Sequence, residues 1–405
     1  MPVQYLIYPA LGLVLFAGLE GGKYFMNNRL QELGLAALLG LFGYGALHQG
    51  LADPSRAWGR WFWTGPLLAG YIMVSAAGAF ALNAGAAVVP SVFASRYFIF
   101  ILIAPTLYFL TQRGLAIEAV ERTFLAVVAL LLVNYVFFYH TLDLRAAFFS
   151  TGYLSYLVTW DEWRGFRLKP PTFALVIATV YGLFRLVRRD DLKAKLAGAM
   201  LLGLAGYIWS LLMARAQMAT IALALLLYPV FLATPRRFQG VVLAVPLGVL
   251  ALGAGHTLLL DHFLNAEGAH VRAAAYGTAW ETFLQHPVVG YGQSSGYSKT
   301  YQDLFGAKFF PSDLGLVGIA FKYGGVGVAL YLFCHGWVTW RLLRTHWLYR
   351  RHYRRHNPLL WALLLLMTAL SLNIVINPGH ALAQGLTVDA FAVGLTQSYK
   401  DLFAS

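Results

Sequence analysis

Several cations in this chain stand where hydrocarbon would make them costly. Arg215 sits in LLMARAQMATIALALLL with apolar sequence on both sides, and Arg272 opens VRAAAYGTAWETFLQ. Arg164, Arg167 and Lys169 crowd the segment RGFRLKPP, and Lys308 lies shortly before Asp313 in AKFFPSDLGL. A charge near the apolar region costs roughly 2.5 to 3.5 kcal/mol on insertion scales and is by default retained for function. The planar, permanently charged guanidinium suits bidentate contact with phosphate. The chemistry these residues would do is to hold an anionic group, such as a lipid phosphate or pyrophosphate, at one face of a membrane. The plainer alternatives are a snorkelling side chain at a helical hairpin for Arg215 and interfacial anchoring for Arg164 and Arg167.

Acid and base candidates on the same face are few. Asp313, after Pro311 and Ser312, opens an apolar stretch, so it is either the N-cap of a helix or a base placed at a helix start, and the two roles are compatible. Among the histidines, His286 lies in HPVVGYG and His380 in NPGHALAQG. A single histidine is more often a hydrogen-bonded structural residue than a catalyst, and His380 is the first to test. Neither a Walker loop nor HExxH nor an Asp-rich cluster occurs, so nucleotide hydrolysis, a metal and a cofactor all lack support. The one cysteine, Cys334, excludes a disulfide framework and any multi-cysteine metal site.

The elements that must position these residues are apolar helices. The 405 residues are 59% apolar and only 12% charged, with a net charge of +13 and a mean hydropathy of +0.62. A soluble domain carries about 25% charged residues, so a soluble enzyme and a disordered chain are both excluded. A span needs about 20 mainly apolar residues. Twelve stretches qualify: 4–19, 33–50, 65–88, 91–111, 123–140, 172–187, 195–213, 216–233, 239–257, 313–335, 358–376 and 385–399. The expected fold class is therefore all-α and polytopic, one membrane domain over 1–405 with about 12 transmembrane helices.

Orientation follows the distribution of Lys and Arg. Segments after even-numbered spans hold 17 of the 30 cations, including the run RLLRTHWLYRRHYRRH, and segments after odd-numbered spans hold ten. Both termini are expected on the cytoplasmic side. The basic run reads as an anchor on anionic lipid, not as a nucleic-acid patch. Two outward segments exceed a turn, 141–171 and 258–312. Within the second, 271–285 has helical spacing, with Arg272, Tyr276 and Trp280 on one face, and HPVVGYG after it is a glycine-punctuated turn.

Four stretches, in order, resemble the O-antigen ligase and polymerase superfamily of polytopic membrane glycosyltransferases. They are RGFRLKPPTFAL (164–175), LLMARAQMATIALALL, VRAAAYGTAWETFLQHPVVGYG and SDLGLVGIAFKYGGVGVALYLF, spanning 164–335. The resemblance implies a GT-C-like membrane fold and a folded outward loop with short helices. It implies a glycan donor linked to undecaprenyl pyrophosphate, and an active site on the outer face of the bacterial cytoplasmic membrane. Arg215 and Arg272 match the arginines that engage the pyrophosphate. In ligases the outward loop ends with a histidine that activates the acceptor; here Pro311, Ser312 and Asp313 stand there. That departure favours a polymerase, which passes the glycan to the next lipid-linked unit, over a ligase acting on lipid A core.

On this reading the transfer is metal-independent and inverting. Arg215 and Arg272 stabilise the leaving pyrophosphate, and Asp313 takes or orients the acceptor proton. Arg164, Arg167, Lys308, His286, Tyr291 and His380 bind or guide substrate. Tyr276, Trp280, Tyr291, Tyr297 and Tyr301 either stack on sugars or anchor at the interface. Partners would be the lipid-linked donor and acceptor, the bilayer and, for a polymerase, a chain-length regulator. The rival from another class is a lipid or solute transporter, which would gather Arg96 and Lys322 at a midplane cavity instead of an outer groove.

Overall fold

A computed structural model describes residues 2–25, 29–52, 60–85, 87–150, 154–161, 165–187, 192–212, 221–222, 225–226, 269–293, 299–305, 314–373 and 383–404. The helices are α1 (Pro2–Gly18), α2 (Arg29–Ala52), α3 (Arg60–Ala84), α4 (Val88–Ala94), α5 (Ile103–Gln112), α6 (Ile117–Thr141), α7 (Leu144–Phe149), α8 (Leu154–Leu157), α9 (Thr172–Val187), α10 (Leu192–Leu212), α11 (Ala269–Gln285), α12 (Lys299–Phe305), α13 (Gly315–Tyr353), α14 (Pro358–Asn373) and α15 (Ala383–Ala404). Tight 3-10 turns occupy Gly21–Phe25 and Arg96–Leu102, and β1 (Val158–Asp161) pairs antiparallel with β2 (Gly165–Leu168).

Five described helices are long and apolar enough to cross a membrane: Arg29–His48, Gly65–Ala84, Ile117–Thr141, Leu192–Leu212 and Gly315–Tyr353. A sixth arises if Val88–Ala94 and Arg96–Gln112, bent by 48°, form one span. Leu6–Gly18, Thr172–Val187 and Pro358–Ser371 are apolar but shorter. The described residues are therefore those of an all-α, membrane-embedded protein apart from one small hairpin. The count of about twelve is not reached; the stretches expected at 216–233 and 239–257 lie almost wholly outside the described residues. α15 is less apolar than the five spans because it carries Thr387, Asp389, Gln397 and other polar residues. It is nevertheless buried along most of its length, packing against α5, α13 and the Arg96–Leu102 turn.

The core shows why. Phe124 on α6 stacks on Phe391 of α15 with ring centroids 4.0 Å apart. The small residues of α15 admit close neighbours: a Cβ at Gly394 would meet Leu107 on α5 at 2.8 Å. A central helix enclosed by others meets side chains instead of lipid, so hydroxyls and amides are tolerated where they find partners.

Hydrogen bonds fix which helix ends lie together. Asn357, just before α14, and Tyr399 on α15 both donate to Glu121 in the first turns of α6, at 2.7 and 2.8 Å. Gln112 at the end of α5 donates to Asp401 near the end of α15, at 2.9 Å. This end carries Arg113, Arg122, Arg341, Arg344, Arg350, Arg351 and Lys400, and is called the basic end below. α13 runs on through the basic run to Tyr353, where the sequence reading had a loop. No glycine or proline interrupts 337–353, and the helix ends where Arg354 takes a left-handed φ of 52°.

Candidate functional site

The opposite end holds the most recognisable sequence element. The segment read as helical over 271–285 forms α11, and His286–Gln293 turn back onto α13. There α13 breaks: Gly324 has φ 66° and ψ −168° inside the helix. In a regular helix the N–H of Gly325 would donate to the carbonyl of Phe321, and that of Val326 to Lys322. Both bonds are exchanged. Gly325 and Val326 donate instead to Pro287 and Val288, at 2.8 and 3.3 Å, while the freed carbonyls of Phe321 and Lys322 accept from Tyr291 and Gly292, at 2.7 and 3.1 Å. Unpaired backbone groups at membrane depth are costly, and HPVVGYG replaces all four.

The glycines follow from that contact. A Cβ on Gly290 would lie 2.6 Å from the Gly324 nitrogen, one on Gly324 2.1 Å from the Val288 oxygen, and one on Gly292 2.1 Å from the Phe80 nitrogen. Asn83 on α3 closes the joint from the far side, donating to the carbonyls of Gly290 and Tyr291 at 3.3 and 3.2 Å. Tyr291 stacks on Phe321 at 5.5 Å, in an aromatic cluster with Phe80 and Tyr301, and burial raises its phenol pKa. His286 meets the Tyr291 ring at 5.9 Å.

A polar cluster reaches this joint through Tyr323 and Gln293, and six separate segments contribute to it. Glu20 follows α1 with a left-handed φ of 59°, a conformation costing a non-glycine residue on the order of 1 kcal/mol. Its carboxylate accepts from Gln384 of α15 at 2.7 Å and lies 3.8 Å from the Lys23 ammonium. Lys23 donates to the Pro170 carbonyl at 3.3 Å, and Tyr24 donates to that of Lys169 at 2.7 Å. Burial pushes the Lys23 pKa down; Glu20 opposes this and Lys169 adds to it. Tyr97 and Tyr323 share a hydroxyl contact at 3.3 Å, and Tyr323 donates to Gln293 at 3.1 Å.

Of the expected site residues, Arg167, His286 and Tyr291 are described with their side chains, and all three lie at this end. Arg167 stands on β2 opposite Thr159 and donates to the carbonyl of Leu212 at the end of α10, at 3.3 Å. Arg272 is placed by its backbone in the first turn of α11. Arg164, Arg215, Lys308, Asp313 and His380 lie outside the described residues. Arg96 and Lys322 flank the two helix breaks: Arg96 donates to the Phe93 carbonyl at 2.9 Å and stands 4.0 Å from Glu32. Glu20, Lys23 and Gln384 are not among the residues the sequence singles out. The one local signal was LEGGKYF, two charges and paired glycines between two apolar stretches.

Beside the cluster runs an apolar cavity of about 190 Å³ between α3, α5, α13 and α15. Tyr323, Val289 and Phe98 line it at the end nearer the cluster, and Val326, Leu330, Cys334 and Val338 carry it along α13 past Asp389. From Val326 to Val338 is twelve residues, about 18 Å of helix at 1.5 Å per residue, more than half of a hydrocarbon core of about 30 Å. Among the described residues no group of His, Cys, Asp or Glu is arranged to hold a metal ion. The chain matches no protein-family model, and no curated protein matches it.

Proposed function

We propose that this protein is a glycosyltransferase that joins lipid-linked repeat units at the outer face of the bacterial cytoplasmic membrane, with both termini on the cytoplasmic side. One observation carries the reading: a charged, hydroxyl-rich cluster and a long apolar cavity share Tyr323 as a wall. That pairing suits an amphiphile with an anionic head and an extended hydrocarbon tail, such as a polyprenyl pyrophosphate. The chemistry is written as an inverting displacement. The acceptor hydroxyl attacks the anomeric carbon, the bond from that carbon to the pyrophosphate oxygen breaks, and its electron pair leaves with the pyrophosphate. Arg215 and Arg272 offset that growing charge. The hydroxyl proton passes to a carboxylate, with Asp313 the first candidate. Glu20 is the second, because its oxygen is held by Gln384 at 2.7 Å and its side chain is 35% exposed.

The polymerase form is preferred to the ligase because Pro311, Ser312 and Asp313 occupy the place of the ligase histidine. The test is to give purified protein lipid-linked repeat units alone, without lipid A core. A ladder of lengthening products supports polymerisation. Products only when core is added would mean a ligase, and unchanged substrate under both conditions would overturn the glycosyltransferase reading.

A further inference from the structure

The basic end holds a second cavity, of about 160 Å³, in the groove between α13 and α15. Its walls are Trp337, Trp340, Arg341 and Arg344 on α13, and Thr396 and Lys400 on α15, with no acidic side chain among its lining. Arg341 is already oriented: it donates to Thr396 at 3.3 Å and to Gln397 at 2.5 Å, and its guanidinium lies 5.1 Å over the Trp337 ring. Asp401, near the end of α15, is engaged by Gln112 and Gln397 at 2.9 and 3.2 Å and also attracts Arg341. Arg344 and Lys400 are exposed, so they present charge to a ligand without first losing a buried partner.

Depth in the membrane decides what that ligand is. Tryptophans mark the headgroup level of a bilayer, and two of them wall this cavity. One turn further into the span from Trp337 and close to the same face as Arg344, Phe333 is 67% exposed, so apolar surface continues inward from the groove. A phosphate lodged among Arg341, Arg344 and Lys400 would therefore have hydrocarbon next to it. We infer that this groove is a binding site for the phosphodiester headgroup of an anionic glycerophospholipid, in the leaflet opposite the polar cluster. Guanidinium pairs with phosphate in a forked geometry, the ammonium of Lys400 adds a third charge from the neighbouring helix, and the acyl chains lie along α13. The site is independent of the glycosyltransferase reading.

Delipidated full-length protein, titrated with dioctanoylphosphatidylglycerol and followed by native mass spectrometry, tests it. Wild type should retain the phosphatidylglycerol adduct and should not retain dioctanoylphosphatidylcholine. The double variant R344Q/K400Q should lose about tenfold or more in apparent affinity, while R344K/K400R, which keeps the charge, should stay within a few-fold of wild type. R350Q/R351Q removes the same amount of charge from α13 outside the groove and should bind as wild type does. Equal losses in the two neutralised pairs would reduce the effect to general surface charge and overturn the site. Retention of glycerol 3-phosphate at the same concentration as the lipid would overturn the lipid assignment and point to a soluble phosphate.

Discussion

The two ends of the helix bundle handle charge in opposite ways. At the basic end most cations stand on exposed helix surface, and the groove between α13 and α15 gathers several with no carboxylate among its walls. At the other end a set of charges is held within the bundle, Lys23 by Glu20 and Pro170, Glu20 by Gln384, and Arg167 by Leu212, while Arg145, Glu281 and Asp303 stay on exposed surface. Solvated cations set topology and meet lipid headgroups, and exchanging one for another costs little. Held charges are oriented, and orientation is what a transfer reaction requires of the groups around it.

The largest effect expected is at the joint between HPVVGYG and α13. Gly292→Ala or Gly324→Ala forces a Cβ into backbone 2.1 Å away at a positive φ, which should cost about 3 kcal/mol or more. Most of the variant protein should fail to purify as a monodisperse species. Gly336→Ala, on the same helix with nothing within 4 Å of its Cβ, should be neutral or gain up to about 1 kcal/mol. Thermal melts in detergent compare the three, and equal behaviour would mean that the joint does not hold the helix break.

Next come the arginines. Arg215→Lys and Arg272→Lys should each reduce product formation at least about 100-fold with folding intact, since Lys lacks the forked contact with pyrophosphate. Arg350→Lys and Arg351→Lys at the basic end should leave the rate unchanged. A uniform response would erase the contrast between the ends. Smaller, and more selective, is the carboxylate pair. Asp313→Asn retains capping ability and Glu20→Gln retains the side chain's shape, so whichever loses about 100-fold in kcat identifies the group that takes the proton.

How much of this was readable beforehand depends on the range of the contacts. The helical period of 271–285 and the glycine turn after it are local, and both are present as α11 and His286–Gln293. The break at Gly324 was not read, because KYGGVG within an apolar stretch is equally the pattern of close helix packing; only the distant backbone of 287–292 distinguishes the two. The hairpin Val158–Leu168 was passed over within a segment read as loop, since its four-residue strands carry little alternation. Glu20 and Gln384 are 364 positions apart, so no spacing rule could join them. The positive-inside count, by contrast, needs no contacts, because it rests on the positions of Lys and Arg along the chain alone.

The polar cluster can be probed through its most buried charge. Burial lowers the Lys23 pKa below its ordinary 10.5, against the attraction of Glu20. The unfolded chain therefore binds more protons than the native one in the window between the lowered value and 10.5. Stability should rise with pH across that window, because the cost of burying the ammonium vanishes as the native lysine becomes neutral. Below the window the cost is present in full. Lys23→Met removes the titrating group, so the melting temperature of wild type relative to this variant should climb as pH rises toward 10.5. A difference that falls with pH would mean that Glu20 and the Pro170 carbonyl outweigh burial and that Lys23 works as a charged partner throughout. In that case the cluster presents a permanent cation to the anionic head it is proposed to bind, and Lys23→Met should weaken binding of the lipid-linked donor at neutral pH as well.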